Sequence, residues 1–177
     1  MRALLARYLN TRQGSVVLRY GSHGKPYVFV GDGDSSIRFN VSHSHGFALL
    51  AFGLQREVGV DIEQVRTEFP GREIAERFFS DRELAELREL PPERSSEGFF
   101  QFWSRKEAYI KARGGGLQIP LQSFSVELGE SGEQRLVDEE GRGWSIYPFT
   151  PGLGFAAAVA AAGEDWQLKY WEYLPED

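Results

Sequence analysis

Apolar residues at helical spacing open the chain: Leu4, Leu5, Tyr8 and Leu9 share one face of residues 2–12, with Arg2, Arg7 and Arg12 elsewhere, which predicts an amphipathic helix. The pattern then becomes that of strands. Residues 16–20, 27–30, 38–41, 47–52 and 58–62 are short β-favouring runs separated by glycine-rich turns such as Gly31-Asp32-Gly33-Asp34. From Arg72 the helical period returns. Ser80-Asp81-Arg82-Glu83 has capping-box spacing ahead of Leu84, Leu87 and Leu90, and Pro91-Pro92 stops that helix. After a polar loop over 91–98, residues 99–113 form the strongest helix, ended by Gly114-Gly115-Gly116. A glycine run cradles phosphate when it precedes a helix; this one follows, so a C-terminal cap is expected. Strands over 124–126, 134–137, 144–149, 155–161 and 166–173 complete the pattern.

The two halves echo each other, with Gly46-Phe47-Ala48-Leu49-Leu50 matched by Gly154-Phe155-Ala156-Ala157-Ala158, which suggests a duplicated α+β lobe or a chance likeness of two apolar strands. At 177 residues, 41% of them hydrophobic, the chain is long enough to bury a core. A net charge of −6 argues against a general nucleic-acid binder, so any phosphate ligand needs a local basic cluster. With no cysteine, thiolate metal sites and disulfides are excluded, and the cytoplasm is the expected compartment. The longest apolar runs, 47–53 and 155–162, are too short to span a membrane, and no targeting segment is read at the start.

Four clusters carry candidate chemistry. Asp61 and Glu63 flank Ile62 and project from the same face of a strand, where they are either solvated or neutralised by a divalent cation. Trp103, Glu107 and Lys111, four apart, share a helical face: an ordinary surface pair, or a partly buried acid that completes a metal site beside a phosphate-binding lysine. Asn40-Val41-Ser42-His43-Ser44-His45-Gly46 brings hydroxyls and imidazoles to a polar turn, without a hydrolase arrangement or a helical zinc spacing. Gly24-Lys25-Pro26-Tyr27 by itself reads as a plain turn into a strand.

Taken in order, Gly24-Lys25-Pro26, Phe39-Asn40-Val41-Ser42-His43-Ser44, Gly59-Val60-Asp61-Ile62-Glu63 and Phe102-Trp103-Ser104-Arg105-Lys106-Glu107-Ala108-Tyr109-Ile110-Lys111 resemble the signatures of Sfp-type 4'-phosphopantetheinyl transferases of the holo-acyl-carrier-protein synthase superfamily. The resemblance implies an α+β fold of pseudo-twofold duplicated lobes, each a small antiparallel sheet packed on a long helix, spanning 1–64 and 65–177 with the active site between them. It implies Mg2+ held by Asp61, Glu63 and Glu107. It further implies coenzyme A contacted by Lys25, Pro26, Ser42, His43, Lys106, Lys111 and Arg2. The implied reaction is transfer of phosphopantetheine to a serine of an apo acyl or peptidyl carrier protein; the mechanism inferred for it has Glu107, alone or through a metal-bound water, as base and Lys111 stabilising or protonating the leaving 3',5'-ADP. Arg105, Arg113 and Phe100 are candidates for the carrier surface. Relatives have a further segment before the first helix, and its lack here leaves β-strand 58–62 with an expected open edge. The chain is expected to act as a monomer with internal pseudosymmetry or as a dimer, with no nucleic-acid or membrane partner. Two rivals are a noncatalytic coenzyme A or carrier-binding module and a magnesium-dependent phosphohydrolase.

Overall fold

A computed structural model describes residues 1–30, 33–129 and 132–173. Helix α1 (Arg2–Tyr8) precedes a three-stranded antiparallel sheet of β1 (Val17–Tyr20), β2 (Pro26–Val30) and β3 (Gly33–Asp34). A separate hairpin follows, β4 (Ile37–Ser44) with β5 (Phe47–Leu54). β6 (Val58–Gln64) is followed by α2 (Gly71–Phe78), α3 (Asp81–Glu89) and α4 (Ser95–Arg113), then by β7 (Gln134–Val137), β8 (Gly143–Phe149) and β9 (Phe155–Ala162). These last strands form an antiparallel sheet in the order β6-β9-β8-β7. The α+β class and the small antiparallel sheets are as expected. Among the described residues the long helix is present once: α4 has 19 residues and α1 has 7.

Helix α4 packs on the four-stranded sheet, burying Ala108, Tyr109, Ile110 and Ala112 with Trp144, Ile146, Ala156, Ala158 and Ala160. Small residues on both sides bring the layers close. At Gly59 in β6 there is no room for a side chain: a Cβ there would lie 2.2 Å from the Ala108 carbonyl oxygen and 2.3 Å from the Ala112 nitrogen.

The other edge of β6, expected to be open, is met by β4. Asn40 Oδ1 accepts from Val60 N–H at 2.9 Å, Ser42 Oγ from Ile62 N–H at 3.4 Å and Ser44 Oγ from Gln64 N–H at 3.2 Å. Residues two apart on β4 face the same way, so their side chains form a ladder where a neighbouring strand would put carbonyls. β6, which a division at residue 64 assigns to the first lobe, pairs along its whole length with β9 of the second. The echoed turns do meet: Gly46 and Gly154 both take positive φ, and the Phe47 and Phe155 rings that follow lie 4.6 Å apart.

Several boundaries differ from expectation. The first helix ends at Tyr8, with Leu9 capping it and Asn10 left-handed. Helix α4 starts four residues early, at Ser95, and takes in Gly98, which fits under Leu90, whose Cδ1 would lie 2.3 Å from a Cβ there. Residues 124–126 form no strand. Their polar groups are taken by side chains, the Phe124 carbonyl by Lys106 and the Val126 N–H by Glu83. No strand forms over the described part of 166–173 either; Trp166 packs on Tyr147 and Tyr170 on Phe149, so the aromatics cover β8 instead of extending the sheet. In the expected turn at 31–34, Gly31 and Asp32 lie outside the described residues. Among the described residues no helix is long and apolar enough to cross a membrane.

The Gly59 contact yields a direct test. Gly59→Ala forces α4 off β6 and is expected to cost about 3 kcal/mol or more, at the upper end of overpacking. Urea denaturation measures it, and a change below about 1 kcal/mol would show that the helix yields easily.

Candidate active site

Between Phe102 and Ala112 every residue of α4 is buried except Trp103, Glu107 and Lys111, which are half-buried, so the face expected from four-residue spacing is the face left open. β6 lies beneath it. Asp61, Glu63, Glu107 and Lys111 line one cavity of about 280 Å³ together with Ser42 and His43. A second cavity of about 260 Å³ shares Glu107 and Lys111 and is completed by the turn of His23, Gly24, Lys25 and Pro26, by Asn40, and by Gly114 and Gly116 past the helix end.

Charge in the first cavity is poorly balanced. Lys111 Nζ lies 2.5 Å from Asp61 Oδ1 and 3.2 Å from Ser42 Oγ, and Ser42 Oγ also donates to Asp61 Oδ1 at 2.9 Å. Asp61 Oδ2, by contrast, is buried without a hydrogen-bond partner. Burial, and then repulsion from Asp61 and Glu107 against the pull of Lys111, pushes the Glu63 carboxyl up to about 7. Burial and then Asp61 raise that of Glu107 as well, with Lys111 opposing. A site that disfavours its own carboxylates, with one buried oxygen unmet, suits a hard cation that takes oxygen ligands. Among the described residues no three such side chains are gathered tightly enough to hold a metal as placed, and Lys111 occupies Asp61 Oδ1. The donor chemistry fits a divalent cation; the coordination shell is not pre-closed.

The family model of the 4'-phosphopantetheinyl transferase superfamily matches residues 57–166, which include all three acids and Lys111. The chain belongs to the 4'-phosphopantetheinyl transferase superfamily. It is 37% identical over 173 residues to the 4'-phosphopantetheinyl transferase HetI of Nostoc sp. (strain PCC 7120), a match covering 98% of this chain and 72% of that one. It is 31% identical to the 4'-phosphopantetheinyl transferase Sfp of Bacillus subtilis (strain 168) over 93% of this chain and 71% of that one. A second Bacillus subtilis 4'-phosphopantetheinyl transferase is 39% identical over 86% and 67%.

Against the pattern expected of this superfamily, the structure brings Ser42, His43, Asp61, Glu63, Glu107 and Lys111 to one cavity, and Lys25 and Pro26 to its neighbour. Lys25 is not free there: its Nζ donates to Glu57 and to the Ala112 carbonyl at the end of α4, both at 2.7 Å, and its stem passes beside Gly114. Lys106 is a correction. Fully buried, it donates to both oxygens of Glu83 at 2.6 and 2.7 Å and to the Phe124 carbonyl at 2.8 Å, away from both cavities. Arg2 is exposed, with its guanidinium donating to the Val16 carbonyl, and it lines neither cavity. The three carrier-surface candidates are also occupied or buried. Arg105 is buried and donates to the Gly129 carbonyl, Phe100 lies in the core, and Arg113 is held by Asp138 and Glu140.

Gly114 is the left-handed C-cap expected, with φ of 73°, yet it also borders the second cavity. Glu83 was legible only as a capping-box residue, a role it keeps through Ser80. Its second bond, to Lys106, joins helices 23 residues apart in sequence and has no local signal.

Lys106→Met leaves the Glu83 carboxylate buried without its cation, and the expected cost is about 3–5 kcal/mol. Lys106→Met with Glu83→Leu removes both charges and recovers part of it, the remainder reflecting the Val126 and Ser80 N–H groups left without Glu83 and the Phe124 carbonyl left without Lys106. Denaturant titration of the two variants compares them; equal stabilities would refute the reasoning. A second expectation follows from Glu63. An acid whose pKa rises on folding stabilises the fold while protonated, fully below its ordinary value of 4.5, and that contribution is lost as pH rises through about 7. In metal-free buffer, Glu63→Gln should therefore melt higher than the parent at pH 8 and equally at pH 4; a difference of the same size at both values would contradict this.

Proposed function

We propose that this chain is a 4'-phosphopantetheinyl transferase that moves the phosphopantetheine arm of coenzyme A, with magnesium, onto a serine of an apo acyl or peptidyl carrier protein. The reading rests on the meeting of Asp61, Glu63, Glu107 and Lys111, from two separate elements, in one cavity with a buried unmet Asp61 oxygen. Asp61, Glu63 and Glu107 would hold the metal, which supplies Lewis-acid neutralisation of the pyrophosphate oxygens.

The protein's own groups account for the rest. The carrier serine oxygen attacks the phosphorus next to the pantetheine arm as the bond to 3',5'-ADP breaks. Glu107 takes the serine proton, a task helped by its raised pKa, because an ordinary carboxylate is a weak base at neutral pH. Lys111, half-exposed between the two cavities, meets the charge developing on the departing 3',5'-ADP. Ser42 fixes Asp61, and His43 offers an imidazole to phosphate oxygens from the cavity wall. With the edge of β6 occupied by β4, we assign a monomer, and the absence of cysteine agrees with a cytoplasmic setting. The alternative of a noncatalytic binding module is not favoured, since the acids and Lys111 are assembled together.

Mass spectrometry of an apo carrier protein incubated with the chain, coenzyme A and magnesium tests the proposal. One phosphopantetheine should be added, with the rate falling at least about 100-fold in Glu107→Gln and lost with EDTA. No addition to several carriers by folded protein would overturn it.

A further inference from the structure

Asn40 carries none of the charge that marks the other site residues, yet it belongs both to the ladder that holds β6 and to the wall of the second cavity beside Lys111 and Glu107. Its orientation is settled by chemistry. Val60 N–H is a donor and requires an acceptor, so the amide oxygen faces β6 and the NH2 is the end left over. Further along β4 the same backbone task is done by hydroxyls, at Ser42 and Ser44. A serine at position 40 would therefore satisfy the ladder. What the asparagine adds is a pair of N–H donors on a largely buried side chain that lines the second cavity, where donors turned to a ligand are useful.

We propose that Asn40 is a coenzyme A-binding residue: Oδ1 holds the strand that carries Asp61, while Nδ2 donates to an acceptor oxygen of the substrate in the cavity next to Lys111. The assignment rests on the transferase reading above. The acceptor is either a phosphate oxygen or an amide carbonyl of the pantetheine arm, both of which take an N–H donor. One side chain thus couples the position of the acid strand to occupancy of the substrate pocket.

Asn40→Ser separates the two roles, since a hydroxyl keeps an acceptor for Val60 N–H without changing the charge. Calorimetric titration with coenzyme A, 3',5'-ADP and 4'-phosphopantetheine, beside thermal melting, reads them apart. The expected result is a melting temperature near the parent's with coenzyme A affinity roughly five- to tenfold weaker, the value of one hydrogen bond. The KM for coenzyme A should rise while that for the carrier stays unchanged. Asn40→Leu, which loses both roles, should lower the melting temperature as well. Weakening confined to 3',5'-ADP places the acceptor on the nucleotide side, and weakening confined to 4'-phosphopantetheine places it on the arm. Asn40→Ser that binds coenzyme A as tightly as a binding-competent parent overturns the assignment alone. So does a variant whose affinity falls only in step with its stability, as in Asn40→Leu. A folded parent that binds no coenzyme A overturns the transferase reading, and the assignment with it.

Discussion

The approach of α4 to β6 at Gly59 is the constraint on which the site depends. One missing side chain lets the Ala108 carbonyl and the Ala112 nitrogen sit against the strand, and alanines along β9 continue the flat surface on which the helix rests. Two residues beyond Gly59 stands Asp61, and on the helix Ala108 and Ala112 are flanked by Glu107 and Lys111. The same close contact that packs the core therefore sets the distance between the acids of the strand and the acid and lysine of the helix. Bulk at Gly59 would widen the core and the site together.

Two lysines on α4, five residues apart, have opposite fates. The helical period of about 3.6 residues puts Lys106 and Lys111 roughly 140° apart around the axis, so both cannot face the same cavity. Lys111 shares the half-exposed face with Trp103 and Glu107, whereas Lys106 turns into the core and is held by Glu83 and the Phe124 carbonyl. The buried pair anchors the inner face of the helix to α3, and the outer face is left for chemistry. Lys25 shows the same division within one residue. Its ammonium is spent on Glu57 and the carbonyl end of α4, where a cation is favoured by the helix dipole, and its stem passes beside Gly114, which borders the second cavity.

Charge in the first cavity is only partly offset. A single ammonium faces three carboxylates and satisfies one oxygen of Asp61, and the others remain desolvated or in mutual repulsion, with Glu63 at about 7 as the result. Such an arrangement lowers the stability of the bare protein near neutral pH and leaves free energy available to a cation or an anionic substrate that brings one.

Much of this was legible along the chain. The Ser80–Glu83 capping box, the stop of α4 at Gly114, the common face of Trp103, Glu107 and Lys111, and the shared side of Asp61 and Glu63 all follow from local spacing and backbone preference, which act over a few residues. What only the tertiary structure decided lies between residues far apart in sequence: the pairing of β6 with β9, the ladder from Asn40, Ser42 and Ser44 that closes the other edge of β6, and the capture of Lys106 by Glu83 and of Lys25 by Glu57. A lysine or an asparagine in a motif shows what groups are on offer. Which of them stays free for a ligand depends on whether folding brings a buried polar partner within hydrogen-bond reach, and no local spacing encodes that.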